Sequence, residues 1–384
     1  MDELQRHRLA FKMLAPVISV FLKLRFNYEY DDLSGIKGPY ILVANHNMEL
    51  DPASVGVAVG HQIYFVASEH IARKGLGTWF LMTFFKPILH KKGRQGVNTV
   101  KEMLKTLRAG HSVCIFPEGN RSFNGLTGEM LPAIGKVARS SGVRLVTYRF
   151  EGGYLTQPRW SLTWRRGKLR GRLIREYSRE ELKKMTNEQV NEAICRDLYE
   201  DAYAAQKKER IAYRGKKLAL GMESALFLCP DCGQIGTLHS DADHLYCDCG
   251  FRAVYDVYGE LTDAAGRKYT ITELDMRQRE MLREYVRVHD SAEELFADTV
   301  TLYEIAKDHT IIRREEGRLS ACADYLEFCG RTIPYEQIQG MAVYSRNFLA
   351  LHMAGETGHL EIKADERFCA LKYLYLYQTK EEEK

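Results

Sequence analysis

The chain has 384 residues, enough for two or three domains with separate cores. An apolar content of 45% and a mean hydropathy of −0.34 exclude a polytopic membrane protein. The net charge of +4 is too small to select a partner, and no internal repeat or low-complexity tract stands out before the Glu-rich C-terminus.

Residues 1–30 read as an apolar-faced helix leading into a strand near Phe26 to Tyr30. Met13 to Leu22 carries no charge and is flanked by Arg6, Arg8 and Lys12 on one side and Lys23 and Arg25 on the other. Ten helical residues rise about 15 Å, half a bilayer core. Such a run suits a helix lying in a membrane interface with cationic flanks, or a core helix of the globular domain. A second run, Leu76 to Phe85, ends at Lys86-Pro87 and reads the same way. Asp2 and Glu3, with no small-residue cleavage site after the apolar stretch, argue against a secretory signal.

From 40 to 150 strands and helices alternate, the signature of a mainly parallel α/β sheet. Strands are predicted at 40–45, 62–67, 112–116 and 143–150, with helices near 52–60, 75–85, 95–109 and 132–141. Two polar segments follow two of these strands: Asn45-His46-Asn47-Met48-Glu49-Leu50-Asp51-Pro52 and Phe116-Pro117-Glu118-Gly119-Asn120-Arg121-Ser122. Polar side chains at the ends of buried parallel strands are where α/β proteins put their chemistry. A His and an Asp five positions apart across a strand-to-helix turn can face each other, leaving the other imidazole nitrogen to accept a proton. The bland alternative is that Asp51-Pro52 simply caps a helix start.

Residues 159–177 alternate apolar and basic side chains about Gly167 and read as a strand hairpin. Between Arg159 and Arg175 stand seven Arg or Lys and no acid, with Trp160 and Trp164 among them. The stretch could rest on anionic headgroups, or its arginines could pair with helix acids. Helices at about 179–185 and 187–208 open with capping boxes, Ser178…Glu181 and Thr186…Gln189. Residues 206–223, with a Lys/Arg-rich start, read as a linker.

Cys229 and Cys232, then Cys247 and Cys249, form two short pairs, each just before a glycine. Over 224–260 this reads as a zinc ribbon whose four thiolates hold a structural zinc. The second pair is Cys-x-Cys where Cys-x-x-Cys is expected, so His244 or His239 could replace one ligand. The segment has few Lys or Arg and several Asp, which disfavours nucleic acid as a partner. The other five cysteines (Cys114, Cys195, Cys322, Cys329 and Cys369) are scattered, which fits a reducing, cytoplasmic compartment. A helical connector, 261–298, precedes a β-rich region, 299–384, of short alternating runs and one closing helix near 366–379. Its pattern suggests a pleckstrin-homology (PH) or GRAM-like barrel.

His-x4-Asp followed by Phe-Pro-Glu-Gly-x-Arg-Ser, each after an apolar strand, resembles the glycerolipid acyltransferase family over roughly residues 1–205. The resemblance implies an enzyme acting on a fatty acyl thioester of coenzyme A or acyl carrier protein. His46 would be the general base for the acceptor hydroxyl and Asp51 would orient it. Glu118, Gly119, Arg121 and Ser122 would lie in the segment that holds the phosphate of a lysophospholipid, most simply 1-acylglycerol-3-phosphate. Lys92 and Arg94 stand where the family places a further basic pair. Two departures are visible. Asn47-Met48-Glu49 replaces a usual small pair after His46, and Thr147-Tyr148-Arg149 replaces a segment that usually carries a proline. They bear on acceptor identity, which leaves another lysophospholipid, an aminolipid or a glycolipid as alternatives. A catalytically inactive lipid-binding regulator is the reading from a different class. The enzyme reading implies peripheral attachment to the cytoplasmic face of a membrane with anionic lipids.

Overall fold

The structure is a computed structural model that describes residues 3–68, 82–83, 85–90, 97–307, 310–355 and 358–382. Two compact units divide the chain: residues 1–159 with 164–214, and residues 160–163 with 215–384. The boundary at 214/215 replaces the linker expected over 206–223. A helix runs on to Glu209, while Leu218, Ala219 and Met222 are buried. Apolar side chains at that spacing cannot be left in a solvated tether.

The first unit opens with α1 (Glu3–Phe26) and β1 (Tyr28–Tyr30). Then come β2 (Tyr40–Ala44), α2 (Asp51–Val59), β3 (Tyr64–Ser68), β4 (Ile88–His90), α3 (Val97–Arg108), β5 (Val113–Ile115), α4 (Ile134–Ser140) and β6 (Arg144–Glu151). A short helix α5 (Gly153–Thr156), β7 (Leu169–Tyr177), α6 (Arg179–Lys184), α7 (Asn187–Leu198) and α8 (Ala202–Glu209) complete it. Among the described residues the strands form one sheet in the order β1-β7-β6-β2-β5-β3-β4. It is parallel except for the β6–β7 pair. The four strands expected between 40 and 150 are all present. Most of the helix expected at 75–85 lies outside the described residues.

β2 shows why this chain makes an α/β sheet. Its five residues are fully buried, and they alternate between two cores. Tyr40, Leu42 and Ala44 face a cluster with Leu22 and Phe26 of α1 and Val55 and Val59 of α2. Ile41 and Val43 face one with Met103 and Leu107 of α3 and Ile194 of α7. A strand covered on both faces has no polar position to spare, so its polar side chains gather just past its end.

Two local expectations change. Residues 159–166 form no strand, so the hairpin about Gly167 is reduced to β7 alone; Arg165 and Arg166 instead bond through their backbones to Thr156 and Arg214. The helix expected over 187–208 breaks at residues 199–201 into α7 and α8. Asp201 caps the second piece, its carboxylate accepting from the backbone N–H groups of Tyr203 and Ala204. Both capping boxes, at Ser178 and Thr186, are formed as expected.

In the second unit, β8 (Leu238–Ser240), β9 (His244–Cys247), β10 (Arg252–Tyr255), β11 (Leu261–Asp263) and β12 (Lys268–Tyr269) form an antiparallel sheet. The region expected as a helical connector, 261–298, therefore begins with two strands. Its helix, α9 (Ile271–Val288), starts at a Thr270–Glu273 capping box, and the next strand has already begun at Glu294. That strand, β13 (Glu294–Ile305), is followed by β14 (Ile311–Cys322), β15 (Tyr325–Phe328) and β16 (Arg331–Pro334). β17 (Ile338–Tyr344), β18 (Phe348–Met353), β19 (His359–Lys363) and α10 (Ala370–Glu382) close the chain as described. These strands form an antiparallel sheet in the order β16-β15-β14-β13-β19-β18-β17. The C-terminal region is thus mostly sheet.

Candidate active site

The parallel strands carry both polar segments to the same end of the first unit's sheet. Just past β2, His46 Nδ1 lies 2.9 Å from Asp51 Oδ2. Asp51 is fully buried at the first turn of α2, and the same oxygen accepts from the backbone N–H groups of Asn47, at 2.6 Å, and Met48, at 2.9 Å. Asp51 is therefore not a helix cap: Leu50 holds that position and makes no side-chain cap bond. The carboxylate folds the loop back on itself and fixes the imidazole with Nδ1 toward the acid. The ring stacks on Phe116 at 4.6 Å between centroids and remains 22% exposed. An imidazole held in this way by a buried carboxylate can take a proton at Nε2 and be stabilised as the cation.

Glu118 ties the two segments together. Its Oε1 accepts from the backbone N–H of His46 at 2.6 Å, and its Oε2 from that of Gly128 at 2.7 Å. Ser122 N–H donates back to the His46 carbonyl at 3.2 Å. Glu118, expected beside the substrate, thus spends both oxygens on backbone donors and acts as a clamp. Desolvation pushes its pKa up to about 8, against the pull of those two donors. Ser122, also expected at the substrate, is buried and its hydroxyl accepts from Gly125 N–H at 2.9 Å, so it shapes the loop. Gly119 sits at φ +67°, a conformation that side chains with a Cβ rarely adopt, and it makes the turn after Phe116.

Arg121 reaches from this loop to the first segment. Its guanidinium lies 3.1 Å from Glu49, in the part of the first segment that departs from the family pattern. Arg121 is the buried member of that pair, and burial lowers its pKa. Lys92 and Arg94 lie outside the described residues.

One acid at the site escaped sequence reading. Glu200, in the break between α7 and α8, is buried. Its Oε1 accepts from Gly152 N–H at 2.7 Å, and its Oε2 accepts from the Asn47 side-chain amide. Asn45, beside it, pairs with both the N–H and the C=O of Phe150, extending the β2–β6 ladder with a side chain. Gly152 has φ +76°, and a Cβ there would come within 2.3 Å of the Lys168 carbonyl, so only glycine delivers this N–H. Burial pushes Glu200 up to about 8.

The sign of that shift gives a test. A carboxyl whose folded pKa exceeds its unfolded value near 4.3 favours the fold while protonated, and the advantage is lost as pH rises through about 8. The melting temperature of the wild type should fall between pH 5 and pH 9, and Glu200→Gln should flatten the fall by roughly 5 °C. An identical slope in the variant would refute this account of Glu200.

The basic stretch after Arg159 resolves into pairs within the first unit. Lys168 meets Glu29, Arg170 meets Glu209, Arg172 meets Asp31 and Arg175 meets Glu181, at 2.5 to 3.4 Å. Arg159 lies over the Phe123 ring at 4.1 Å and donates to the Arg121 carbonyl. Four of the seven cations thus pair with acids, the alternative expected for this stretch, while among the described residues the exposed Arg166 bonds through its backbone alone.

In the second unit, the Sγ atoms of Cys229, Cys232, Cys247 and Cys249 all lie within 4.8 Å of one another. The Cys229–Cys249 and Cys232–Cys247 separations are 3.7 and 3.8 Å. Four thiolates about 2.3 Å from a central zinc would stand about 3.8 Å apart, so this donor set fits a tetrahedral ion. His244 Nδ1 instead meets Asp241 at 3.1 Å, and His239 Nε2 faces Asp248 at 3.6 Å, so neither replaces a cysteine. Turns at Gly233 and Gly250 close each knuckle on the carbonyls of Cys229 and Cys247.

Residues 25–151 match the family model described as Acyltransferase. Over 137 residues the chain is 28% identical to the chloroplastic 1-acyl-sn-glycerol-3-phosphate acyltransferase LPAT1 of Arabidopsis thaliana. That stretch is 35% of this chain and 38% of the relative, so the match spans under two-fifths of the plant protein. Among solved structures, the chain is similar to the 1-acyl-sn-glycerophosphate (LPA) acyltransferase PlsC of Thermotoga maritima, with 20% identity and a TM-score of 0.43. That similarity covers 52% of this chain and 82% of the other.

Proposed function

We propose that the acyltransferase segment at residues 25–151 makes this chain an O-acyltransferase that moves a fatty acyl group from a thioester to the free hydroxyl of a lysophospholipid. The His46–Asp51 pair at 2.9 Å, clamped to the second motif by Glu118, carries the reading. His46 Nε2 takes the proton of the acceptor hydroxyl as its oxygen attacks the thioester carbon. The tetrahedral intermediate collapses, the C–S bond breaks, and the thiolate of coenzyme A or acyl carrier protein recovers the proton from the imidazolium. Asp51 stabilises that cation. No covalent acyl-enzyme is needed: Cys114 is fully buried and burial raises its thiol pKa, while Ser122 is turned into its own loop.

The acceptor named by the plant relative, 1-acylglycerol-3-phosphate, is the first reading, with Arg121 as its phosphate ligand. Glu49 favours a second. This half-exposed carboxylate already pairs with Arg121, and it would repel a phosphate monoester while attracting an amine-bearing headgroup. Purified protein offered labelled acyl thioester and a panel of lyso-acceptors tests both. On the second reading, Glu49→Gln should shift preference toward the phosphate monoester by about tenfold, a 1.4 kcal/mol change. No shift returns the assignment to 1-acylglycerol-3-phosphate, and no transfer to any acceptor refutes the enzyme.

The protein works from a membrane surface, at the cytoplasmic face. Supporting the surface attachment, Leu9, Met13, Val17, Val20, Phe21 and Leu24 form one exposed apolar stripe along α1. Among the described residues no helix is long and apolar enough to cross a membrane. In the second unit the four-cysteine cluster holds a structural zinc. The C-terminal sheet order with its closing helix supports a PH-like module.

A further inference from the structure

At the opposite end of the same sheet from His46 lies a cavity of about 870 Å³. It opens between α1 and the segments that lead into β2, β3 and β5. Five-residue strands place it roughly 15 Å from the acyl-transfer end, so it is not a branch of the candidate active site. Its wall carries Arg8, Lys12 and Lys37 together with His61 and His111, and no acid lines it among the described residues. Phe11, Ile36 and Val57, all buried, supply an apolar floor.

Two of the neighbouring acids pair with cations elsewhere, and the third bonds a backbone N–H. Glu29 pairs with Lys168, Asp31 with Arg172, and Asp32 accepts from Ser34 N–H at 2.8 Å. α2 and α3 end beside the cavity, and each C-terminus presents about half a negative charge. With the Asp32 carboxylate, which keeps its charge beside the lining residue Ser34, the negative sum is about two units against three full cations, so the cleft stays positive without counting the histidines. Burial in fact lowers the pKa of His61, whose Nε2 lies 3.2 Å from the Tyr40 hydroxyl.

The lining residues on α1 sit on the helix face next to the exposed apolar stripe, with Leu9 and Pro16 at the border. A membrane covered by the stripe brings its headgroups level with Arg8 and Lys12. We infer that this cleft binds the phosphate headgroup of an anionic phospholipid, with the start of an acyl chain on the apolar floor. The lipid as source rests on the interfacial reading of α1 given above; the anion site rests on the cleft alone.

Full-length protein would be titrated calorimetrically with dioctanoyl phosphatidate below its micellar concentration, with dioctanoyl phosphatidylcholine and with inorganic phosphate. The expected result is phosphatidate binding that weakens at least tenfold in Lys12→Glu/Lys37→Glu and is retained in Arg121→Ala, with both other probes at least tenfold weaker. Both lysines are exposed, so circular dichroism should show the double variant folded. Unchanged phosphatidate affinity in that variant would overturn the site. Equal binding of inorganic phosphate would assign a free-anion site and overturn the lipid. Equal binding of phosphatidylcholine would overturn the role of charge. Acyl transfer in neutral detergent is measured separately, so its absence counts against the enzyme reading and not against the cleft. Met13→Glu/Val17→Glu should abolish vesicle binding while leaving phosphatidate binding intact; vesicle binding that survives overturns the interfacial source.

Discussion

His46→Ala should lower the rate of acyl transfer by about 10³-fold with little change in the KM for the acyl thioester. General-base assistance contributes about 10²–10⁴ in rate, and no second base within the described site replaces it: Glu118 and Glu200 have their oxygens committed to N–H donors. Asp51→Asn is the sharper variant. It keeps the shape of the turn but removes the charge that selects the Nδ1–H tautomer and stabilises the imidazolium. A loss of similar size is expected, since the corresponding change in a Ser-His-Asp triad costs about 10⁴. Both variants should keep the wild-type circular dichroism spectrum if tested near neutral pH. Full activity in His46→Ala would remove this mechanism while keeping the enzyme; no transfer by the wild type would leave the lipid-binding alternative in its place.

Removing the metal should have the largest effect on stability. The protein as purified should contain one zinc per chain, and a strong chelator should lower the melting temperature of the second unit by more than 10 °C. Cys247→Ser should do the same without chelator. The scale follows from the metal's role: structural zinc in zinc-finger peptides contributes about 10–16 kcal/mol, comparable to the whole stability of a domain. The surrounding sheet is small, with strands of two to four residues. It buries too little apolar surface to replace the ion. Substoichiometric zinc together with an unshifted melt would show that the four thiols are only neighbours.

The predictive power of the chain was uneven, and local reach explains the pattern. His46 and Asp51 were legible because five residues across a strand-to-helix turn leave few ways to separate them. The four cysteines were legible as a cluster because each pair sits in one short knuckle; the unusual Cys-x-Cys spacing still delivered both sulfurs. Glu118 and Arg121 were found as residues but not as roles. Only the fold shows one clamping backbone N–H groups and the other turned to Glu49.

Glu200 was invisible for a plainer reason. It lies more than 150 residues from Asn45 and Asn47 in the chain, and its function depends on α7 ending where β6 ends. The basic stretch from Arg159 to Arg175 failed in the opposite direction: its charge was obvious, but its partners come from residues 29, 31, 181 and 209. Side chains within one or two turns meet through local geometry, so the chain alone announces a His–Asp pair and a four-cysteine cluster. Which charges pair at the surface depends on distant segments meeting, and which carboxylate supports the site depends on burial in a low-dielectric interior. There an unpaired charge is too costly to persist, and pairing is settled by packing.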